Sequence, residues 1–106
     1  MTAVLNITRS EKCVDVSICG ELTIYSAAQL KDELLVLLKT SPILMVNLAE
    51  VDDIDTAGLQ ILIMLKKEAK NLGYEVSFTD HSSPVINVIE LLNMVNFFGD
   101  PLVLTH

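Results

Sequence analysis

The residues able to do chemistry are few and scattered along the chain. Catalysis needs groups of suitable pKa held close together. The sequence has two histidines, His81 and His106, and two cysteines, Cys13 and Cys19. His106 is the last residue, and His81 falls between a strand-like and a helix-like segment, where it reads as a polar loop residue. No Cys–His or Ser–His–Asp order stands out, and neither do the CxxC, HExxH and GxxxxGK[ST] patterns. The four glycines (20, 58, 73 and 99) are isolated and read as punctuation. Acids cluster at Glu50, Asp52, Asp53 and Asp55. Their start resembles a calcium loop, but the glycine and closing glutamate that such a loop needs are missing. The expectation is therefore a protein that is not an enzyme, with no catalytic residue, no cofactor and no metal site. The contrary reading is a small-ligand binder or enzyme built from the acidic loop and His81.

The cluster leads into a more specific junction. Asp55 can cap a helix, placing Thr56 and Ala57 in its first turn. A hydroxyl there lies beside free backbone N–H groups and the positive end of the helix dipole, where a phosphate is well tolerated. Added beside four acids, that phosphate would repel a partner docked at the site. Gly58 removes a side chain where a partner or a neighbouring strand could approach closely. The alternative for Asp55-Thr56 is an ordinary helix cap, and for Gly58 a packing glycine.

Hydrophobic periodicity supplies the elements that must hold this junction. Ala3 to Thr8 reads as a strand, and residues 9–12 as a polar turn. Val14, Val16 and Ile18 then alternate with Asp15, Ser17 and Cys19, a strand that Gly20 ends. Ser26 and Gln29 have capping-box spacing for a first helix, whose inner face is Leu30, Leu34, Leu37 and Leu38. Thr40-Ser41-Pro42 stops it. Ile43 to Leu48 reads as a central strand, followed by the acidic loop 49–55. A second helix over Thr56 to Leu72 buries Leu59, Leu62, Leu65, Ala69 and Leu72 and ends at Gly73. Ile61, Ile63 and Met64 lie off that stripe. Tyr74 to Thr79 is a strand. Ser83, as N-cap, and Pro84 open a third helix with Val85, Val88, Ile89 and Leu92 inward. A connector over 93–99 leads to a last strand, Leu102 to Leu104. The order β-β-α-β-α-β-α-β predicts an α/β fold with a mixed sheet.

Two motifs in this order carry a resemblance. Gly20-Glu21-Leu22 after the second strand, followed by Asp55-Thr56-Ala57-Gly58-Leu59 at the second helix, resembles the STAS domain family, which includes the anti-sigma-factor antagonists. The resemblance covers nearly the whole chain. It implies one STAS-like domain over residues 1–106, with helices packed mainly on one face of the sheet. It also implies a regulatory role without catalysis: docking onto a protein partner, often a serine kinase that phosphorylates the domain. The partner-binding residues it implies are Asp55, Thr56, Ala57, Gly58, Leu59, Glu21 and Thr23. In phosphorylated members the acceptor hydroxyl precedes the motif glycine, and here that position is Ala57. Aspartate commonly follows Gly-Glu-Leu, and here Thr23 stands there. Thr56 is then the one nearby hydroxyl for phosphorylation, about 100° around the helix from Ala57. The form Asp-Thr-Ala-Gly-Leu is similar to that of STAS subunits of the bacterial phospholipid-transport ATPase and of chemotaxis-associated STAS proteins. Both imply docking without phosphate.

Bulk properties narrow the partners. At 106 residues, 51% of them hydrophobic, the chain fits one domain with a real core. Its net charge is −7, and no basic stripe interrupts it. Such a chain is repelled by phosphate backbones and anionic lipid, which argues against nucleic acid. No apolar stretch is long enough to span a bilayer, so direct membrane insertion is not expected. Met1-Thr2-Ala3-Val4 lacks the basic start of a signal peptide. Cys13 and Cys19, in one strand, would stand roughly 20 Å apart, too far for a disulfide. Reduced cysteines and no leader predict a cytoplasmic location. Oligomeric state is not readable from these features.

Overall fold

The computed structural model describes residues 3–10 and 12–91. The strands are β1 (Val4–Arg9), β2 (Val14–Leu22), β3 (Ile43–Asn47), β4 (Val51–Ile54) and β5 (Glu75–Thr79). The helices are α1 (Ile24–Thr40), α2 (Thr56–Leu72) and α3 (Ser83–Leu91). The sheet is mixed, as expected. β1 pairs antiparallel with β2, and β2–β3, β2–β4 and β3–β5 are parallel, giving the path β1-β2-β3-β5 with β4 beside the end of β2. The expected strand over 102–104, Leu92 and the connector 93–99 lie outside the described residues.

One face of the sheet carries the core. Val14, Val16 and Ile18 of β2, Leu44 and Val46 of β3, and Val76 and Phe78 of β5 are buried. They pack with Leu30, Leu34, Leu37 and Leu38 of α1 and with Leu59, Leu62, Leu65 and Ala69 of α2. Burying each such leucine contributes about 2 kcal/mol. Alternate strand residues on the other face, such as Asp15, Ser17, Asn47, Ser77 and Thr79, are exposed or half-buried. α1 and α2 lie side by side, and α3 packs on β4 and α2.

The structure corrects five sequence expectations. First, the acidic segment 49–55 is not all loop, because β4 lies inside it. Gly20 pairs with Val51 and Glu21 with Asp53, so Asp52 is an extra residue with no partner opposite. Such a bulge breaks period-two alternation. Val51 and Ile54 both turn inward with two exposed acids between them, and that pattern does not read as a strand. Second, Gly20 does not end β2. It takes φ 105° at the same irregularity, and the strand continues to Leu22.

Third, α1 starts before Ser26, at Ile24 with Thr23 as N-cap. Ser26 is then the third helical residue. Its Oγ accepts from the Thr23 N–H (3.2 Å) and donates to the Glu21 carbonyl (2.7 Å). Fourth, Leu72 is 40% exposed, and Ile61 at 5% takes a place in the core. Fifth, His81 is fully buried rather than a polar loop residue. Asp80 takes φ 51°, and its carboxylate accepts from Asn47 Nδ2 at 2.8 Å. Leu48 N–H bonds the Thr79 carbonyl and Ser82 N–H the Leu48 carbonyl. The two connections are zipped together, and residue 81 is turned inward.

Candidate functional site

The site is built where β2 and β4 end side by side. Because the two strands are parallel, the helices that follow them begin next to each other. In open α/β sheets this carboxyl edge is where binding sites form. Asp55 joins the two helix starts. Its Oδ1 accepts from the Gly58 N–H at 2.9 Å, and its Oδ2 accepts from the Ile24 N–H at 3.0 Å. One carboxylate thus caps α2 and α1 together. The Asp55 N–H in turn reaches the Leu22 carbonyl at 3.3 Å, and the Asp55 carbonyl accepts the first bond of α2 from Leu59 at 2.9 Å.

This arrangement sets the charge of Asp55. Burial pushes its pKa up, but N–H groups of Gly58, Ile24, Ala57 and Asp55 itself outweigh that effect and hold it below the ordinary 3.8. The carboxylate is therefore ionised at neutral pH, opposite two positive helix ends.

Gly58 is fixed by the same junction. A Cβ built there would overlap the Leu22 carbonyl oxygen and lie 2.7 Å from the carbonyl carbon. The close approach that glycine permits is therefore to the neighbouring strand.

The seven residues named from sequence gather at this edge but divide by exposure. Thr56 is exposed, while Glu21, Asp55 and Ala57 are half-buried. Gly58, Leu59 and Thr23 are buried and support the edge from beneath. Thr23 Oγ1 is among the buried polar atoms that make no hydrogen bond. Asp52 and Asp53 are exposed on β4.

Two neighbours escaped sequence reasoning. Ile24 is 67% exposed and Tyr25 88%, at the first turn of α1 beside the Asp55 cap. Two large apolar residues in open water carried a signal: neither fits the inner stripe that begins at Leu30. Beyond them a shallow groove between α1 and α2 is lined by Ala27, Ala28, Lys31, Ala57, Gln60 and Met64.

The rest of the chemical inventory is placed elsewhere. Cys13 and Cys19 are free thiols. Cys19 donates to Glu50 Oε2 at 2.8 Å and accepts from Asn6 Nδ2 at 3.3 Å. The bond to Glu50, then burial and the charge of Glu50, raise the thiol's pKa, so it is protonated and a poor nucleophile. Among the described residues, no group of three or more His, Cys, Asp or Glu side chains could hold a metal ion. No helix among them is long and apolar enough to cross a membrane.

This fold and its helix-start edge have relatives. Residues 5–104 match the family described as "Mlab, STAS domain". The chain belongs to the STAS domain family. It is 24% identical over 90 residues to the anti-sigma-B factor antagonist of Bacillus subtilis (strain 168), covering 85% of this chain and 83% of that protein. Its fold is similar to that of the anti-sigma factor antagonist SpoIIAA in its unphosphorylated form, with TM-score 0.74 and 13% identity, over 93% of this STAS domain and 89% of the other chain. An anti-sigma factor antagonist from Mycobacterium paratuberculosis superposes with TM-score 0.77 at 21% identity, over 97% and 86% of the two chains.

Proposed function

We infer that this STAS domain is a regulatory docking module without catalytic activity, cytoplasmic and bacterial, that binds a signalling protein at the Asp55–Leu59 helix start. The observation that carries this reading is the open apolar pair Ile24–Tyr25 set beside the helix edge that the Asp55 carboxylate caps. Exposed aromatics are enriched among the anchors of protein interfaces. Here a single carboxylate holds the anchor pair and Thr56 in fixed relation. The relatives' names point the same way, toward an anti-sigma factor as the class of partner, and the family resemblance adds a serine kinase.

Ala57 removes the hydroxyl from the place where phosphorylated members carry it. Docking here therefore stands without phosphate, and Thr56 is the remaining acceptor for a switch. An accessory role on a phospholipid-transport ATPase or a chemotaxis assembly would use the same edge.

Pull-down of the native partner tests the reading. Tyr25→Ala and Thr56→Glu should each weaken capture by about tenfold or more, the scale of losing an interface anchor. Lys70→Ala, at the far end of α2, should leave capture unchanged. Equal binding by all three would move the site elsewhere. Mass spectrometry of the protein purified from its own host reports whether Thr56 carries phosphate.

A further inference from the structure

β1 has one hydrogen-bonded neighbour among the described residues, the antiparallel strand β2. Alternate residues of a strand point their N–H and C=O groups away from such a neighbour. Among the described residues, the outer edge of β1 is thus a row of donors and acceptors that no other strand pairs. Natural edges are blunted by lysine, proline, a bulge or an inward charge. The run Val4-Leu5-Asn6-Ile7-Thr8 has none of these, and its register with β2 is unbroken from Val4–Cys19 to Arg9–Val14. Five of the six β1 residues are exposed. On the helix side, Leu5, Ile7 and Arg9 line a groove with Glu33, Val36 and Leu37 of α1. Ile7 is 44% exposed there and Val36 64%.

We propose that this edge joins two copies of the chain, β1 against β1, in an antiparallel pair that runs one sheet through both. A second copy fits for three reasons. An antiparallel strand edge is complementary to itself, so each outward N–H meets a carbonyl of the other chain. The two-fold axis stands perpendicular to the sheet and keeps α1 of both copies on the same side. Residues facing each other must then share a face, so the axis passes through Asn6 or Ile7. With the axis at Asn6, Leu5 of each copy faces Ile7 of the other. With the axis at Ile7, the two Ile7 side chains face each other and Leu5 faces Arg9, and in both cases Val36 flanks the contact. The groove itself is balanced, with one cation, Arg9, and one anion, Glu33, so the contact adds nothing to the repulsion between two chains of net charge −7. A strongly basic or acidic partner would find no complement there. The strand is only about 20 Å long. The contact falls at the small end of specific interfaces, so the dimer is weak and depends on concentration.

Sedimentation of the whole chain across the micromolar range tests this. The mass should rise from one chain toward two. Ile7→Lys, which places a charge on the edge, should hold it at one chain with an unchanged circular dichroism spectrum. Val36→Glu should weaken self-association by about tenfold, and it decides the question if Ile7→Lys fails to fold. β1 amides should also exchange more slowly with solvent as concentration rises. A single chain at every concentration, growth beyond two chains, or a dimer indifferent to both substitutions would overturn the proposal.

Discussion

The two ends of α2 each carry a glycine, and the two glycines are there for opposite reasons. Gly58, in the first turn, exists because the chain of another strand occupies the space a Cβ would need. Gly73, just past the last turn, has nothing within 4 Å of a built Cβ. It is there for its backbone, at φ 72°, a left-handed conformation that L-residues avoid. The Tyr74 N–H bonds the Ala69 carbonyl at 2.8 Å and the Gly73 N–H bonds that of Lys70 at 3.2 Å, which closes the helix as a Schellman motif. One end is built by tertiary contact and the other by the local chain. Only the tertiary end gathers residues from three elements, and the proposed docking surface lies there.

The largest effect should come from breaking the tertiary end at its tightest point. Gly58→Ala drives a methyl into the Leu22 backbone, which no rotamer change relieves. Either α2 or the end of β2 must shift. The cost should reach about 3 kcal/mol, the upper part of the usual range for overpacking. Thermal unfolding followed by circular dichroism would read this as a fall in Tm of roughly 15 °C for a domain of this size. A variant that melts with the wild type would mean the junction has slack and cannot position a partner surface.

Next comes the shared carboxylate. Asp55→Ala uncaps two helices at once, and the loss should be about 2 kcal/mol in denaturant titration, at or above the top of the single-cap range. The pH dependence follows from the lowered pKa. Folded Asp55 binds its proton less readily than unfolded Asp55, whose value is near the ordinary 3.8. Its stabilisation is complete above that value and is lost as pH falls through the lower folded value. Wild type should therefore lose stability in acid more steeply than Asp55→Asn, which keeps a capping oxygen but no titration. Parallel acid curves would mean that the carboxylate does not hold the junction.

The same contrast explains what was legible in the sequence. Elements made by local rules are legible: the alternation of Val14, Val16 and Ile18, the leucine stripe of α1, the Gly73 terminator and the span of α2. What the sequence does not show depends on contacts between distant segments. β4 is hidden by the bulge at Asp52, which places two acids between Val51 and Ile54. The start of α1 is set by Thr23 and by the Asp55 carboxylate 31 residues away. His81 is buried by bonds between two loops that nothing local announces. At the site itself, Asp55 was legible as one cap but not as two. Ile24 and Tyr25 fall outside a helix read from Ser26, because the true start at Ile24 is fixed by the distant Asp55 carboxylate.

The local end of α2 offers the smallest effect and the sharpest control. Gly73→Ala meets no atom, so its whole cost is the left-handed backbone, about 1 kcal/mol. Asparagine tolerates that region better, so Gly73→Asn should recover part of the loss. The ordering expected in denaturant titration is wild type, then Asn, then Ala. At Gly58 the ordering should follow size instead: asparagine brings more atoms toward Leu22 than alanine does and must be worse. The reversal between the two sites separates a glycine kept for φ from one kept for space. The Gly73 variants should capture the partner as the wild type does, because nothing at that end reaches Tyr25 or Thr56. Loss of capture by Gly73→Asn at a temperature where it remains folded would extend the docking surface to the far end of α2.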